Sequence, residues 1–115
     1  MPALDDLLAV LTLEPAGGSV WRGGSLDLGG PVVFGGQLLA QTLLAAGAAV
    51  PDKEVKSLHT VFARGASTAE PLEFAVDVQQ SGRSFATAAV TVRQAERLCV
   101  SSLVLLHAPD DDRGA

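Results

Sequence analysis

One cysteine, one tryptophan and no tyrosine occur in 115 residues, and aromatic residues reach only 4%. The lone Cys99 excludes an internal disulfide, and its place in an apolar run predicts a buried thiol in a reducing compartment. Positive charge is also scarce. Eight Lys and Arg against thirteen Asp and Glu leave a net charge of −5, without the basic patch that a nucleic-acid surface needs. The longest apolar run is broken too often by Gly, Gln and Thr to cross a bilayer. Residues 1–6 carry two acids and no base, unlike a secretory leader. No spacing of His, Cys and acids suggests a metal site, and no phosphate-loop or dinucleotide-binding motif occurs. What is abundant is apolar: 48% of residues, against 18% charged. That balance excludes a disordered chain and predicts one soluble, cytoplasmic domain over residues 1–115 with a single core.

Along the chain, Leu4, Leu7, Leu8 and Leu11 predict a short amphipathic helix over residues 3–11, with Asp5 and Asp6 suited to its first turn. Pro15-Ala16-Gly17-Gly18 ends that pattern, residues 19–26 read as a first strand, and residues 27–31 form a turn-rich loop. The segment from Gln37 to Ala49 then turns almost wholly apolar, interrupted by Gln37, Gln41, Thr42 and Gly47. A helix apolar on nearly every side is buried on nearly every side. Gly35 and Gly36 leave its positive end reachable by a carbonyl or an anion. Pro51-Asp52 stops it.

Past Pro51 the hydrophobic period changes to two, predicting strands over residues 55–64, 71–81, 84–94 and 97–107. Phe74, Val76 and Val78 alternate with Glu73, Asp77 and Gln79. Ser81-Gly82-Arg83 and Gln94-Ala95-Glu96-Arg97 read as the hairpin turns. Residues 98–106 are apolar on both faces, as in a central strand covered on both sides. Residues 109–115 read as a frayed tail. A sheet wrapped round one helix leaves a side and an edge uncovered. The expected architecture is therefore α+β and dimeric.

This order of elements resembles the hotdog fold, and the local motifs resemble type II acyl-CoA thioesterases. Val33-Phe34-Gly35-Gly36-Gln37 with Ala40-Gln41 is similar to the start of the central helix in the first of that family's two hotdog repeats. Ser57-Leu58-His59 with Phe62 and Arg64 is similar to the strand after it. Ser81-Gly82-Arg83-Ser84-Phe85 is similar to an Asp-Gly-Arg-Ser-Phe hairpin, with Ser81 replacing the acid. Leu13-Glu14-Pro15 fits the opening, and the resemblance runs from about residue 7 to 107. It covers the N-terminal repeat only. In the relatives the catalytic Asp, Thr and Gln lie in the second repeat. By internal superposition the Gln position falls near Val104 here and the Asp position near Gly36 or Gln37, so the triad is not inherited.

The resemblance implies an acyl thioester of CoA or a carrier protein as substrate, with CoA part of that substrate and no separate cofactor. It also implies a homodimer, a higher oligomer, or pairing with a second hotdog chain. The expected site is at the helix start. The Gly36 and Gln37 N–H groups are candidates to hold the thioester carbonyl; alternatively, the glycine pair serves only tight loop packing. Gln37 either orients the attacking water or satisfies loop backbone groups, since an amide is no general base. His59 suits a base by its ordinary pKa, or is a core or interface histidine. Asp27 can supply a carboxylate to the helix start, or simply forms a turn.

Arg64 and Arg83, with Ser84, are candidates for the CoA phosphates; surface solvation is the alternative, and the better one for Lys56. Phe34, Leu38, Gln41, Phe62 and Phe85 are expected to line the acyl pocket, though Gln41 also suits a subunit contact. His107, at the end of the last strand, reads as structural or exposed. Two other functions remain open: a non-catalytic binding or scaffold subunit, and a hotdog dehydratase or hydratase, which would need an acid facing His59.

Overall fold

The computed structural model describes residues 4–26 and 30–109. Helix α1 (Leu4–Leu11) is followed by β1 (Glu14–Pro15), β2 (Val20–Gly23), α2 (Gly35–Ala49), β3 (Glu54–Phe62), β4 (Leu72–Ser81), β5 (Phe85–Gln94) and β6 (Arg97–His107). The strands form one antiparallel sheet in the order β1-β2-β4-β5-β6-β3. The α+β architecture expected from the pattern is present. β1, only two residues long, has no signal in the period and is held by pairing with β2. Asp27 and most of the predicted tail fall outside the described residues.

The period of two places Phe74 and Val76 of β4, Val90 and Val92 of β5, and Val100 and Val104 of β6 on the inner face, each 4% exposed or less. Across from them lie Leu38, Ala45 and Ala46 of α2 in the same apolar cluster. Ala86 and Ala88 of β5 are fully buried there as well, and such small side chains let a helix backbone sit close to the sheet.

Two burial expectations are corrected. Residues 98–106 are not covered on both faces: β6 alternates, with Val104 buried and Leu103 51% exposed. Nor is α2 buried all round, for Leu44 is exposed while Gln37, Gln41 and Thr42 are buried. The polar residues of this helix point inward and an apolar one points out. On α1, likewise, Leu4 and Leu8 project outward while Val10 is buried.

The turn between β5 and β6 falls where expected, but without glycine. Ala95 and Glu96 both take positive φ, 49° and 69°, which is the two-residue geometry that a twisted hairpin favours. At the opposite end of the sheet, the Gly82 N–H donates to Phe85 O at 2.8 Å and closes the β4–β5 hairpin.

Candidate functional site at the start of the central helix

Phe34 precedes α2 in an extended conformation (φ −61°, ψ 129°) and offers no side-chain cap. The first turn is closed by its carbonyl, which accepts from Gln37 N–H at 3.0 Å and Leu38 N–H at 3.3 Å. This corrects one expectation: the Gln37 N–H is already engaged in closing the turn. The Gly36 N–H has no such backbone partner among the described residues, and Gly36 is exposed. A Cβ on Gly36 would lie 2.5 Å from Phe34 Cε2, whereas one on Gly35 would meet the Phe62 ring at an ordinary 3.5 Å. A side chain at position 36 would have to displace the exposed Phe34 ring, which lies over the helix start, and the lack of one leaves the Gly36 N–H accessible.

The Gln37 side chain faces inward. Its Oε1 accepts from Leu26 N–H at 3.0 Å; its Nε2 donates to Gly24 O at 3.2 Å and to Gln41 Oε1 at 2.9 Å. Gln41 Nε2 in turn donates to Val10 O and Gly24 O, both at 3.0 Å. Both donor hydrogens of each amide are thus used: those of Gln37 on Gly24 O and on Gln41, those of Gln41 on Gly24 O and on Val10 O at the end of α1. The placement of Gln41 in the acyl pocket is corrected accordingly: it is fully buried within this network.

Beside the helix start opens a cavity of about 380 Å³. Val32, Val33, Gly35 and Leu38 form one side, and Phe62, Arg64, Gly65 and Ala66 the other. Arg64 is the one charged side chain among the described lining residues. Phe62 and Leu38 both lie in this lining, and Phe34 stands at the helix start, 63% exposed. The Val32–Val33 and Gly65–Ala66 walls were not anticipated. Their signal, a pair of valines between Pro31 and the helix, is too short to be periodic.

The other predicted residues that are described do not join this site within one chain. His59 is exposed and stands opposite Leu103 on the outer face of the sheet, away from α2. Phe85 pairs with His107, whereas Phe62 shares a row with Val100 and Val92. Seven residues of β5 separate the two rows, roughly 23 Å of strand. Phe85 therefore lies at the far end of the sheet, its ring 4.5 Å from that of His107 in an edge-to-face contact. Arg83 and Ser84 are exposed in the adjoining hairpin, with Ser84 O accepting from Ala108 N–H at 2.8 Å. Lys56 pairs with Glu54 at the surface, at 3.5 Å. Cys99 is free and buried. Among the described residues, no group of three or more His, Cys, Asp or Glu is arranged to hold a metal. No helix there is long and apolar enough to cross a membrane.

The profile of the acyl-CoA thioesterase N-terminal domain matches residues 24–107. The chain belongs to that family. It is similar to acyl-CoA thioesterase 2 of Haemophilus influenzae, 36% identical over 92 residues that cover 79% of this chain and 32% of that protein. Human acyl-coenzyme A thioesterase 8 is 35% identical over 86 residues, covering 74% of this chain and 27% of that protein. The solved tesB protein of Mycobacterium avium subsp. paratuberculosis superposes with a TM-score of 0.88 at 32% identity, over 95% of this chain and 44% of that one. The fold is the hotdog, and the chain spans about a third of the length of these curated relatives.

Proposed function

We propose that this domain binds an acyl thioester of CoA or of a carrier protein at the start of α2 and hydrolyses it together with a second hotdog domain. The observation that carries this reading is the apolar cavity lined by Gly35 and Arg64, with the exposed Gly36 and its N–H next in the chain. The acyl chain enters between Leu38 and Phe62. The Gly36 N–H, at the positive end of α2, hydrogen-bonds the thioester oxygen, and this bond strengthens as charge develops on that oxygen. Arg64 meets a CoA phosphate.

Among the described residues the lining holds neither carboxylate nor imidazole, and in this reading the group that takes the proton from water comes from the second domain. That domain is another copy of this chain or a separate hotdog chain, and pairing through β3 suits either. β3 has β6 on one side only, and an open edge strand is a template for pairing. Antiparallel pairing there sets the far end of the second domain beside the Phe62–Arg64 end of the first. In a homodimer, Arg83, Ser84 and Phe85 of the second copy would then flank the cavity. CoA acts as part of the substrate, and the buried free Cys99 suits a cytoplasmic setting.

A second reading, a binding or scaffold subunit without turnover, is favoured by the lack of a base among the described lining residues. Thiol release measured across a series of acyl-CoA lengths, with oligomeric state recorded in parallel, separates the two. Release by an oligomer supports hydrolysis. Saturable binding without release at any length, alone or with a second hotdog chain, supports the binding subunit. Neither binding nor release would overturn both readings. Loss of water from a 3-hydroxyacyl thioester would point instead to a dehydratase.

A further inference from the structure

Gln94, the last residue of β5, is 2% exposed and does not line the cavity. Its Oε1 accepts from Ser67 N–H at 2.8 Å, and its Nε2 donates to Ser67 O at 2.8 Å and to Glu70 O at 3.0 Å. Both donors and the acceptor of one buried amide are thus spent on a single loop. That loop, residues 63–71, has no regular secondary structure beyond an isolated bridge from Ser67 to Val32. It is tied to the strand-like segment before α2: Val33 N–H donates to Ala66 O at 2.8 Å and Thr68 N–H to Pro31 O at 3.0 Å. Val32, Val33, Gly65 and Ala66 are cavity walls. A continuous set of hydrogen bonds therefore runs from Gln94 through Ser67 to both walls. No side chain among those walls can hold them by its own hydrogen bonds, since all four are apolar or glycine.

We propose that Gln94 is a positioning residue that clamps Ser67 and Glu70, fixes the Val32–Val33 and Gly65–Ala66 walls, and so sets which acyl chains the cavity accepts. This rests on the cavity being the acyl site. Gln94→Glu keeps the length and the acceptor for Ser67 N–H but sets a carboxylate against two carbonyl oxygens. Gln94→Met keeps the length and removes all three bonds.

The test measures kcat and KM over acyl-CoA chain lengths, together with hydrogen exchange, in variants shown to be folded by circular dichroism. KM for the preferred length should rise about tenfold and the length profile should flatten, with kcat changed less than about twofold, because the walls shift while the helix start stays in place. Exchange at Val33, Ser67 and Thr68 should quicken while β4–β6 stay protected. An unchanged length profile in a folded variant would overturn the proposal. If the native protein neither binds nor cleaves acyl-CoA, the acyl reading fails by itself; exchange then decides the clamp, which falls if Val33 and Thr68 keep native protection in the variants. If neither variant folds, native exchange decides: Val33, Ser67 and Thr68 should open as one unit with matching free energies, and independent opening of Ser67 would sink the clamp.

Discussion

Gln37 Nε2 donates to Gln41 Oε1 across 2.9 Å inside the protein, one helical turn apart. The pair joins three segments: the end of α1 through Val10 O, the loop through Gly24 O and Leu26 N–H, and α2 itself. Gln41→Leu would leave Val10 O and a Gln37 donor without that partner in a buried setting. We expect a loss of about 2–4 kcal/mol in urea unfolding, as several buried polar groups are orphaned together. Gln37→Leu should cost a similar amount. The double variant should cost about 1 kcal/mol or more below the sum of the two, because the residues act in one network. Additive losses in the cycle would show that the two amides work independently.

Thr42 is fully buried and its Oγ1 has no hydrogen-bond partner. Valine has nearly the same shape without the hydroxyl. Thr42→Val should therefore stabilise the domain by about 1 kcal/mol, the penalty of an unsatisfied buried group, and raise the melting temperature. A destabilised variant would mean that the hydroxyl has a partner in solution.

Ala95 and Glu96 sit at positive φ between β5 and β6, where an L side chain costs roughly 1–2 kcal/mol per residue. Ala95→Asn with Glu96→Gly supplies the preferred residues for this turn. The double variant should gain about 1 kcal/mol or more by thermal or urea unfolding, without altering acyl-thioester binding.

Arg64 is exposed and is the charged member of the cavity lining. Arg64→Ala should weaken binding of an acyl-CoA by about five- to tenfold, in line with roughly 1 kcal/mol for a partly screened ion pair. Binding of the same acyl chain on a thioester lacking the nucleotide should not change. Calorimetric titration at low and high salt checks this, since the native advantage should shrink as salt rises. Equal weakening for both ligands would place Arg64 against the acyl portion instead.

Much of this fold is written in local periods. The alternation through Phe74 and Val76 and the run from Leu38 to Ala49 lie where strand and helix occur, because burial on one sheet face or against a helix leaves that imprint. The orientation of α2 was not legible. Gln37 satisfies loop backbone groups at Gly24 and Leu26, one of its two readings, but nothing near Gln41 in the chain announces the Val10 and Gly24 carbonyls that draw it inward. The candidate site was half legible for a related reason. Gly35, Leu38, Phe62 and Arg64 line one cavity, but Arg83, Ser84 and Phe85 form a motif whose distance from it depends on strand register. His59 differs by one residue's alternation, since Leu58 opposes Val104 inside and His59 opposes Leu103 outside. Gln94 ends a strand and precedes a turn, so nothing nearby in the chain marks it as a buried clamp.

The one-sided pairing of β3 also bears on what a stability measurement on this domain reports. Whatever pairs with that edge and not with the unfolded chain adds its binding free energy to folding, in proportion to the logarithm of its concentration. For a self-pairing chain the relevant concentration is that of the protein itself. Dilution then becomes a denaturing condition, and a melting temperature has meaning only beside the concentration at which it was read.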